Sequence, residues 1–419
     1  MSTSYAAPAG IAIRPPATPD EVDDFFLFAN RAFAPEASVK AARGWQRWVE
    51  GSPGYHTGQL RAAFCEGRVV GTCAVYERVM RLGPARLLTG CIGAVATAPA
   101  YRRRGIAGAL LSDAIGFARA RGHALLLLDG IPDYYRRFGF VDVFDPIWRA
   151  VDREAVLALA PSPYAVRPCT LDDAPALLEL YERHYGARPG GFTRRVERWA
   201  RDLADTPPGW YPPVAVDTAG HVRGYLAFNW EHHGARASEV AADDWPAALA
   251  LLRCHAEIVG AMPEPSAELL WPLPEGSATH QALLGNLLFR SQMTHRPFAG
   301  WQARPAAADV LLTSLAPLWE ARWRRSASPH AGVLGIRITG EGGATLALRV
   351  ARERLGCTAE APADVLALPP DAFIQLVCGY RPLDWLLACY PSDLSDGARE
   401  ALRVLFPHEP IWIPGSDSF

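Results

Sequence analysis

Lysine is all but missing from this chain: Lys40 is the only one in 419 residues, so basic charge is carried by arginine. That skew fits a GC-rich coding sequence and carries no mechanism of its own. Charge of one sign is lacking too. Forty-two basic residues face 44 acidic ones, for a net charge of −2 with no long basic run. Phosphate backbones are held by a concentrated positive face, so no nucleic-acid partner is expected. No long hydrophobic run is present either. Stretches such as Ala124–Leu128 fall far short of the roughly 20 apolar residues a bilayer demands, so no membrane span is expected. The opening MSTSYAAPAG lacks the basic start and apolar run of a secretory signal. The eight cysteines (65, 73, 91, 169, 254, 357, 378 and 389) form no CxxC pair and no zinc-spaced cluster with histidine. Free buried thiols in a reducing cytoplasm are the expectation, with no metal. What is present is a chain half hydrophobic and one-fifth charged, long enough for two to four globular domains.

Strand and helix signals alternate. Ile11–Arg14 reads as a short strand, and Thr18 as the N-cap of a helix with an acidic first turn. Val22, Phe25, Phe26, Ala29 and Phe33 share one face of that helix and are expected in the core. Leu60–Glu66 and Arg68–Arg78 read as a hairpin turning at Glu66-Gly67. A strand over Leu87–Ala96 ends at Pro99, and a helix follows from about Gly105 to Arg121. Further strands are expected over Ala124–Asp129 and Phe138–Phe144. From Val166 the text VRPCTLDDAPALLELYERHY repeats the grammar of IRPPATPDEVDDFFLFANRAF. Arg14-Pro15 falls on Arg167-Pro168 and Val69-x-Gly71 on Val222-x-Gly224, both at a shift of 153 residues. Two distant anchors sharing one offset argue for a duplicated domain. After Pro297 the texture changes, with a helix in ADVLLTSLAPLWEARW, strands in GVLGIRI and GGATLALRVA, and a helical segment broken at Gly379 and Pro382. The expected organisation is mixed α/β, with domains over 1–150, 151–297 and 298–419. The apolar tail FPHEPIWIPGSDSF is expected to pack.

Chemistry concentrates in AVATAPAYRRRGIAGALLSDAIGFARARG. A strand runs into a short turn, and Arg102-Arg103-Arg104-Gly105-Ile106-Ala107 opens a helix. Helix N-termini carry unpaired N–H groups and a partial positive charge. A small residue at 105 lets a ligand approach the backbone, and the arginines add countercharge, which together make a cradle for a diphosphate. A solvated arginine cap ahead of an ordinary amphipathic helix is the plainer alternative; the ordered run of strand, R-x-x-G-x-A and helix argues against it.

That motif, following V-x-x-x-P at a strand end, resembles motif A of the GNAT superfamily. The downstream Tyr-Tyr-Arg-Arg-Phe-Gly-Phe of 134–140 resembles its motif B. A G-x-G-x-x-G fingerprint is absent, so the resemblance implies acetyl-CoA rather than a dinucleotide. More narrowly, two tandem GNAT-like domains with the loop only in the first, then an α+β domain, is similar to the Eis family, whose C-terminal domain is related to sterol carrier protein 2. GYRPLDWLL at 379–387 and the ALRVLFP helix end look like that domain's closing segment. The resemblance implies that Val95, Ala96 and Thr97, then Arg103, Arg104, Gly105, Ile106, Ala107 and Gly108, and finally Gly130 and Ile131, hold acetyl-CoA. It implies Tyr135 as general acid, with Tyr134 one register away, and the carboxylate of Phe419 as general base. It also implies a homo-hexamer. The chain departs from the family in carrying Gly108 where a larger residue is common, and a bulky Gly-Ile-Pro-Asp-Tyr approach to Tyr135.

The reading that follows is acetyl transfer to a primary amine of an aminoglycoside, polyamine or lysine-like acceptor. The alternative is a lipid- or ligand-binding protein built on the C-terminal domain. Glu36, Asp129, Asp133 and Asp417 are the acidic candidates for meeting a cationic amine. Glu231-His232-His233 reads as solvated surface rather than a metal site, and Cys254-His255 as helix neighbours that point apart.

Overall fold

The computed structural model describes residues 5–205, 212–228, 234–326, 328–352 and 354–417. Residues up to Phe144 and from Arg296 to Ile411 form one compact unit; Asp145–His295 with the tail from Trp412 form a second.

The first unit opens with β1 (Ala12–Arg14) and α1 (Pro19–Phe33). Thr18 accepts the Glu21 N–H at 3.2 Å and Pro19 occupies the first turn, where its missing N–H costs nothing. Helix α2 (Val39–Glu50) is capped in the same way by Ser38. Strands β2 (Leu60–Cys65) and β3 (Arg68–Leu82) turn through Glu66 and Gly67, both at positive φ, as the hairpin signal required. Strand β4 (Ala85–Thr97) then pairs with β3 along nearly its whole length. Helix α3 (Ile106–Ala120), β5 (Leu125–Gly130) and β6 (Val141–Phe144) complete the segment. The strand expected from Phe138 starts only at Val141, because Tyr135–Phe138 is a tight helical turn that drives Phe138 and Phe140 into the core. Phe33, expected in the core with the rest of its face, is instead 66 % exposed at the end of α1.

The second unit contains β7 (Ile147–Asp152), α4 (Arg153–Ala158), β8 (Ala165–Pro168), α5 (Ala174–Tyr181) and α6 (Val196–Asp205). It continues through β9 (Pro213–Val216), β10 (Val222–Phe228), β11 (Ala237–Ala242) and α7 (Trp245–Gly260). It closes with β12 (Glu268–Pro272), α8 (Ala278–Leu284) and β13 (Phe289–Met293). The chain then returns to the first unit with β14 (Gly300–Pro305), α9 (Ala308–Arg324), β15 (Gly332–Ile338), β16 (Ala344–Ala351), β17 (Arg354–Thr358) and β18 (Asp364–Leu368). Helices α10 (Pro370–Val377), α11 (Leu383–Cys389) and α12 (Asp396–Leu405) follow. The break between α10 and α11 falls at Gly379 and Pro382 as expected. Gly379 sits at φ +63° against the Glu409 carbonyl, where no side chain fits.

The sheets share a pattern. In the first unit the orders are β1-β2-β3-β4-β5-β14-β6 and β17-β16-β15-β18; in the second, β11-β10-β9-β8 and β12-β7-β13. So β14 sits between β5 and β6, and β7 between β12 and β13. Strand β7 begins at Ile147 and β14 at Gly300, the spacing of 153 that also relates Arg14 to Arg167. The two arginines do the same thing locally. Arg14 grips Glu21 at 2.6–2.7 Å and the Pro15 carbonyl at 3.0 Å; Arg167 grips Asp173 at 2.6–2.8 Å and the Pro168 carbonyl at 3.2 Å.

Of the cysteines, 73, 91, 169 and 378 are buried as expected, but Cys357 and Cys389 are exposed. The tail packs: Ile411, Trp412 and Ile413 are buried, and the Trp412 N–H bonds to the Pro189 carbonyl at 2.8 Å.

Candidate active site

The parallel pairing of β4 with β5 stops at Cys91 opposite Leu127, yet β4 runs on to Thr97 and β5 to Gly130. The two strands therefore part, leaving a wedge where a parallel ladder would otherwise satisfy the backbone. A cleft of about 720 Å³ opens there, lined by Ile92–Thr97, the loop through Arg102, Arg103 and Gly105, and the segment from Asp129 to Phe138. What bends β4 is a bulge. Thr72 pairs with Ala96 and Ala74 with Gly93, so Cys73 alone opposes both Ala94 and Val95. Ala94 is held at φ +51°, a region costing a non-glycine residue about 1–2 kcal/mol, and buried Thr72 donates its hydroxyl to the Ala94 carbonyl at 2.7 Å. Ala98 donates its N–H to Val70 on β3, which turns the Thr97 carbonyl to the other side, where Arg102 Nε reaches it at 3.3 Å. Thr97 Oγ1 is buried with no hydrogen-bond partner.

Helix α3 starts from Gly105 at φ +84°, with no side chain capping its first turn. A Cβ at 105 would meet nothing within 4 Å, so the backbone conformation rather than crowding calls for glycine. The first amides of α3 thus face the cleft uncapped, with exposed Arg102, Arg103 and Arg104 ahead of them. At Gly108 a Cβ would lie 3.0 Å from the ring of Tyr5, a residue that sequence reasoning did not single out. Orphaned Thr97 Oγ1, the parted strands and the uncapped helix fit an elongated thioester ending in a diphosphate.

Tyr134 and Tyr135 both line the cleft, with ring centroids 5.0 Å apart. Tyr135 is 8 % exposed and its ring lies over Gly130, where any Cβ would come within 2.6 Å of it. Gly130 therefore seats the tyrosine. Burial, with Cys73, Tyr134 and Asp129 adding to it, pushes the Tyr135 phenol well above its ordinary value. Burial raises Tyr134 as well. Asp129 faces the cleft, and the surrounding protein raises its carboxyl. Among the other acidic candidates, Glu36 is exposed and absent from the cleft lining, and Asp133 pairs with Arg136 at 3.3 Å. Asp417 is fully buried against Arg194 at 2.9 Å in the second unit, so it is no landing point for a free amine. Phe419 and Glu231-His232-His233 lie outside the described residues. His255 is neutral and structural. Its Nε2–H donates to the Gly234 carbonyl at 2.6 Å, its Nδ1 accepts from Trp271 at 3.0 Å, and burial lowers its pKa to about 4.

Parted parallel strands, a bulged β4 and an uncapped, glycine-led helix thus meet in one cleft. Residues 13–141 match the family of acetyltransferase (GNAT) domains. Solved structures share the fold over nearly the full chain. A GCN5-related N-acetyltransferase from Kribbella flavida matches at TM-score 0.69 and 18 % identity, covering 98 % of this chain and 99 % of its own. Another from Anabaena variabilis matches at 0.70 and 16 %, covering 98 % and 100 %. Eis1 from Mycobacterium abscessus matches at 0.62 and 18 %, covering 97 % and 100 %. Comparison with curated proteins yields no match. Residues 13–141 thus carry an acetyltransferase (GNAT) domain, and the chain as a whole has the mixed α/β fold of those solved structures.

Proposed function

We propose that the chain transfers acetyl from acetyl-CoA to a primary amine. The observation that carries this reading is the meeting of three features in one cleft: the opening between β4 and β5, the uncapped start of α3, and Tyr135 seated on Gly130. In this reading the amides of Ile106, Ala107 and Gly108 and the guanidinium groups of Arg103 and Arg104 hold the diphosphate. The backbone of Val95, Ala96 and Thr97, with the orphaned Thr97 hydroxyl, holds the arm and polarises the thioester carbonyl, an effect worth a few kcal/mol in comparable sites. Bound acetyl-CoA supplies the acyl group and a thiol leaving group. Tyr135 keeps its proton because burial raises its pKa, and it gives that proton to the departing sulfur. Gly130 acts through Tyr135, and exposed Ile131 stands at the rim. The carboxylate of Phe419 is proposed as the base on the strength of the Eis resemblance.

The same resemblance supports a duplicated GNAT architecture with divisions near 150 and 297, a closing domain like sterol carrier protein 2 and a hexameric assembly, and the scattered, unpaired cysteines support a cytoplasmic location. The matching Arg14 and Arg167 clasps and the 153-residue spacing of β7 and β14 speak for the duplication. The deciding measurement is CoA-thiol release from acetyl-CoA with a panel of amines. Amine-dependent release is expected, and Tyr135→Phe should lower turnover at least about tenfold with the acetyl-CoA Kd unchanged. Equal turnover in that variant would remove Tyr135 from the reaction, and a similar loss in Tyr134→Phe alone would move the role there.

A further inference from the structure

The cleft's charges and rim specify more than an amine. Among the described residues lining it, Asp129 is the one carboxylate, against Arg102, Arg103 and Arg137. Its position follows from strand alternation. Leu126 and Leu128 join the core beneath α3, so Leu127 and Asp129 point to the opposite face of the sheet. Helix α1, whose buried Val22, Phe25 and Phe26 lie outside that core, packs on β3 and β4. Asp129 also stands two residues beyond the last β4–β5 pair, at the apex of the wedge and one residue before the glycine that seats Tyr135. Two large apolar side chains line the same cleft without being buried: Phe33 at 66 % exposure, from the end of α1, and Ile131 at 63 %. An exposed phenylalanine on an otherwise buried helix face, beside a cleft, is the kind of apolar surface that marks a ligand contact. Arg137 is stacked 4.1 Å over the Tyr134 ring and bonds to the Tyr134 carbonyl at 3.1 Å, so its charge is fixed near the same opening.

We infer that the acceptor is a monoamine with an apolar body, its ammonium paired with Asp129 and its body lying against Phe33 and Ile131. Among the described residues lining the cleft, a polycation such as an aminoglycoside or polyamine would meet one carboxylate and a fixed arginine, with no second acidic side chain. This inference rests on the amine-transfer reading above, and the test separates the two. Initial rates of CoA release are compared for phenethylamine, spermidine and kanamycin, with the wild-type chain and with Asp129→Asn and Phe33→Ser. The expected result is a kcat/KM for phenethylamine at least about tenfold above either polycation. Asp129→Asn should lower it at least about tenfold, chiefly through KM, while acetyl-CoA binding by calorimetry stays within about twofold and reports an intact fold. Phe33→Ser should reduce the preference for phenethylamine over spermidine by about fivefold. Preference for a polycation, or an Asp129→Asn rate within twofold of wild type, overturns this inference and leaves amine transfer standing. Release with none of the three amines, despite acetyl-CoA binding, overturns both.

Discussion

The two units share a local clasp and then treat a helix N-terminus in opposite ways. Each contains a short strand ending in Arg-Pro whose arginine is held by an acid in the helical segment that follows, Arg14 by Glu21 and Arg167 by Asp173. In the first unit β4 leads through an arginine-rich turn to Gly105, which offers α3 no side-chain cap. In the second, β11 is followed by Asp243 and Asp244 and then directly by α7. Asp244 accepts the Ala247 N–H at 2.8 Å, so the protein's own carboxylate occupies the place an anion would take. Asp243 is bound to Arg183 at 2.9 Å and His184 at 3.1 Å. Arginines diverge as well. Arg103 and Arg104 stand exposed at the head of α3, whereas Arg194 is buried between Glu239 at 2.6 Å and Asp417 at 2.9 Å and stacks 3.8 Å over Tyr181. The same local clasp can thus be followed by an uncapped helix end or by one that the protein's own carboxylate closes. The residue at the helix N-cap makes the difference.

The largest effect is expected where the second unit's buried charges are broken. Arg194→Met leaves Glu239 and Asp417 buried without that partner and should cost about 3–5 kcal/mol in chemical denaturation. A loss under about 1 kcal/mol would mean the cluster holds little. Next, Gly105→Asp gives α3 the kind of cap that α7 has, at a φ that suits glycine. Acetyl-CoA affinity by calorimetry should fall by about a hundredfold. Binding that survives would end the contrast drawn between the two helices. Asp244→Ala should cost the second unit about 1 kcal/mol of stability while leaving acetyl-CoA affinity unchanged. The clasps give the smallest effect. The Arg14 hydrogen bond holds Glu21 down at about 2, and Arg167 lowers Asp173. Carboxyls depressed in the folded state stabilise it above their unfolded pKa and lose that contribution as pH falls through the folded value. Arg14 is substantially solvent-exposed, so the Glu21 contribution should stay below about 1 kcal/mol. The denaturation difference between wild type and Glu21→Gln should shrink from pH 5.5 to pH 3, and a constant difference would show that the clasp is not ionic in origin.

Much of this was legible in the residue order. R-x-x-G-x-A after a strand located the loop because glycine at a left-handed N-cap and uncapped amides are properties of a few consecutive residues. The Glu66-Gly67 hairpin, the Thr18 cap and the break at Gly379 are local for the same reason. Thr72 was not legible: its hydroxyl serves Ala94, 22 residues away, and nothing in VVGTCAV distinguishes it from an ordinary strand threonine. Phe33 carried the wrong signal, since its helical spacing matched buried neighbours while, as the last residue of α1, it lines the cleft exposed. The seating of Tyr135 on Gly130 joins residues whose closeness depends on the tight turn at 135–138.

By itself, then, the sequence determined most of the elements, their caps and turns, and the arginine-glycine motif that opens α3. Those depend on propensities and spacings within a turn or two of backbone. Tertiary structure decided where β4 and β5 part, which strand β14 joins, which of four acidic candidates faces the cleft, and that Asp417 is locked against Arg194. Each of these depends on groups far apart in sequence meeting in a sheet or a buried cluster, and local preference carries no record of such meetings.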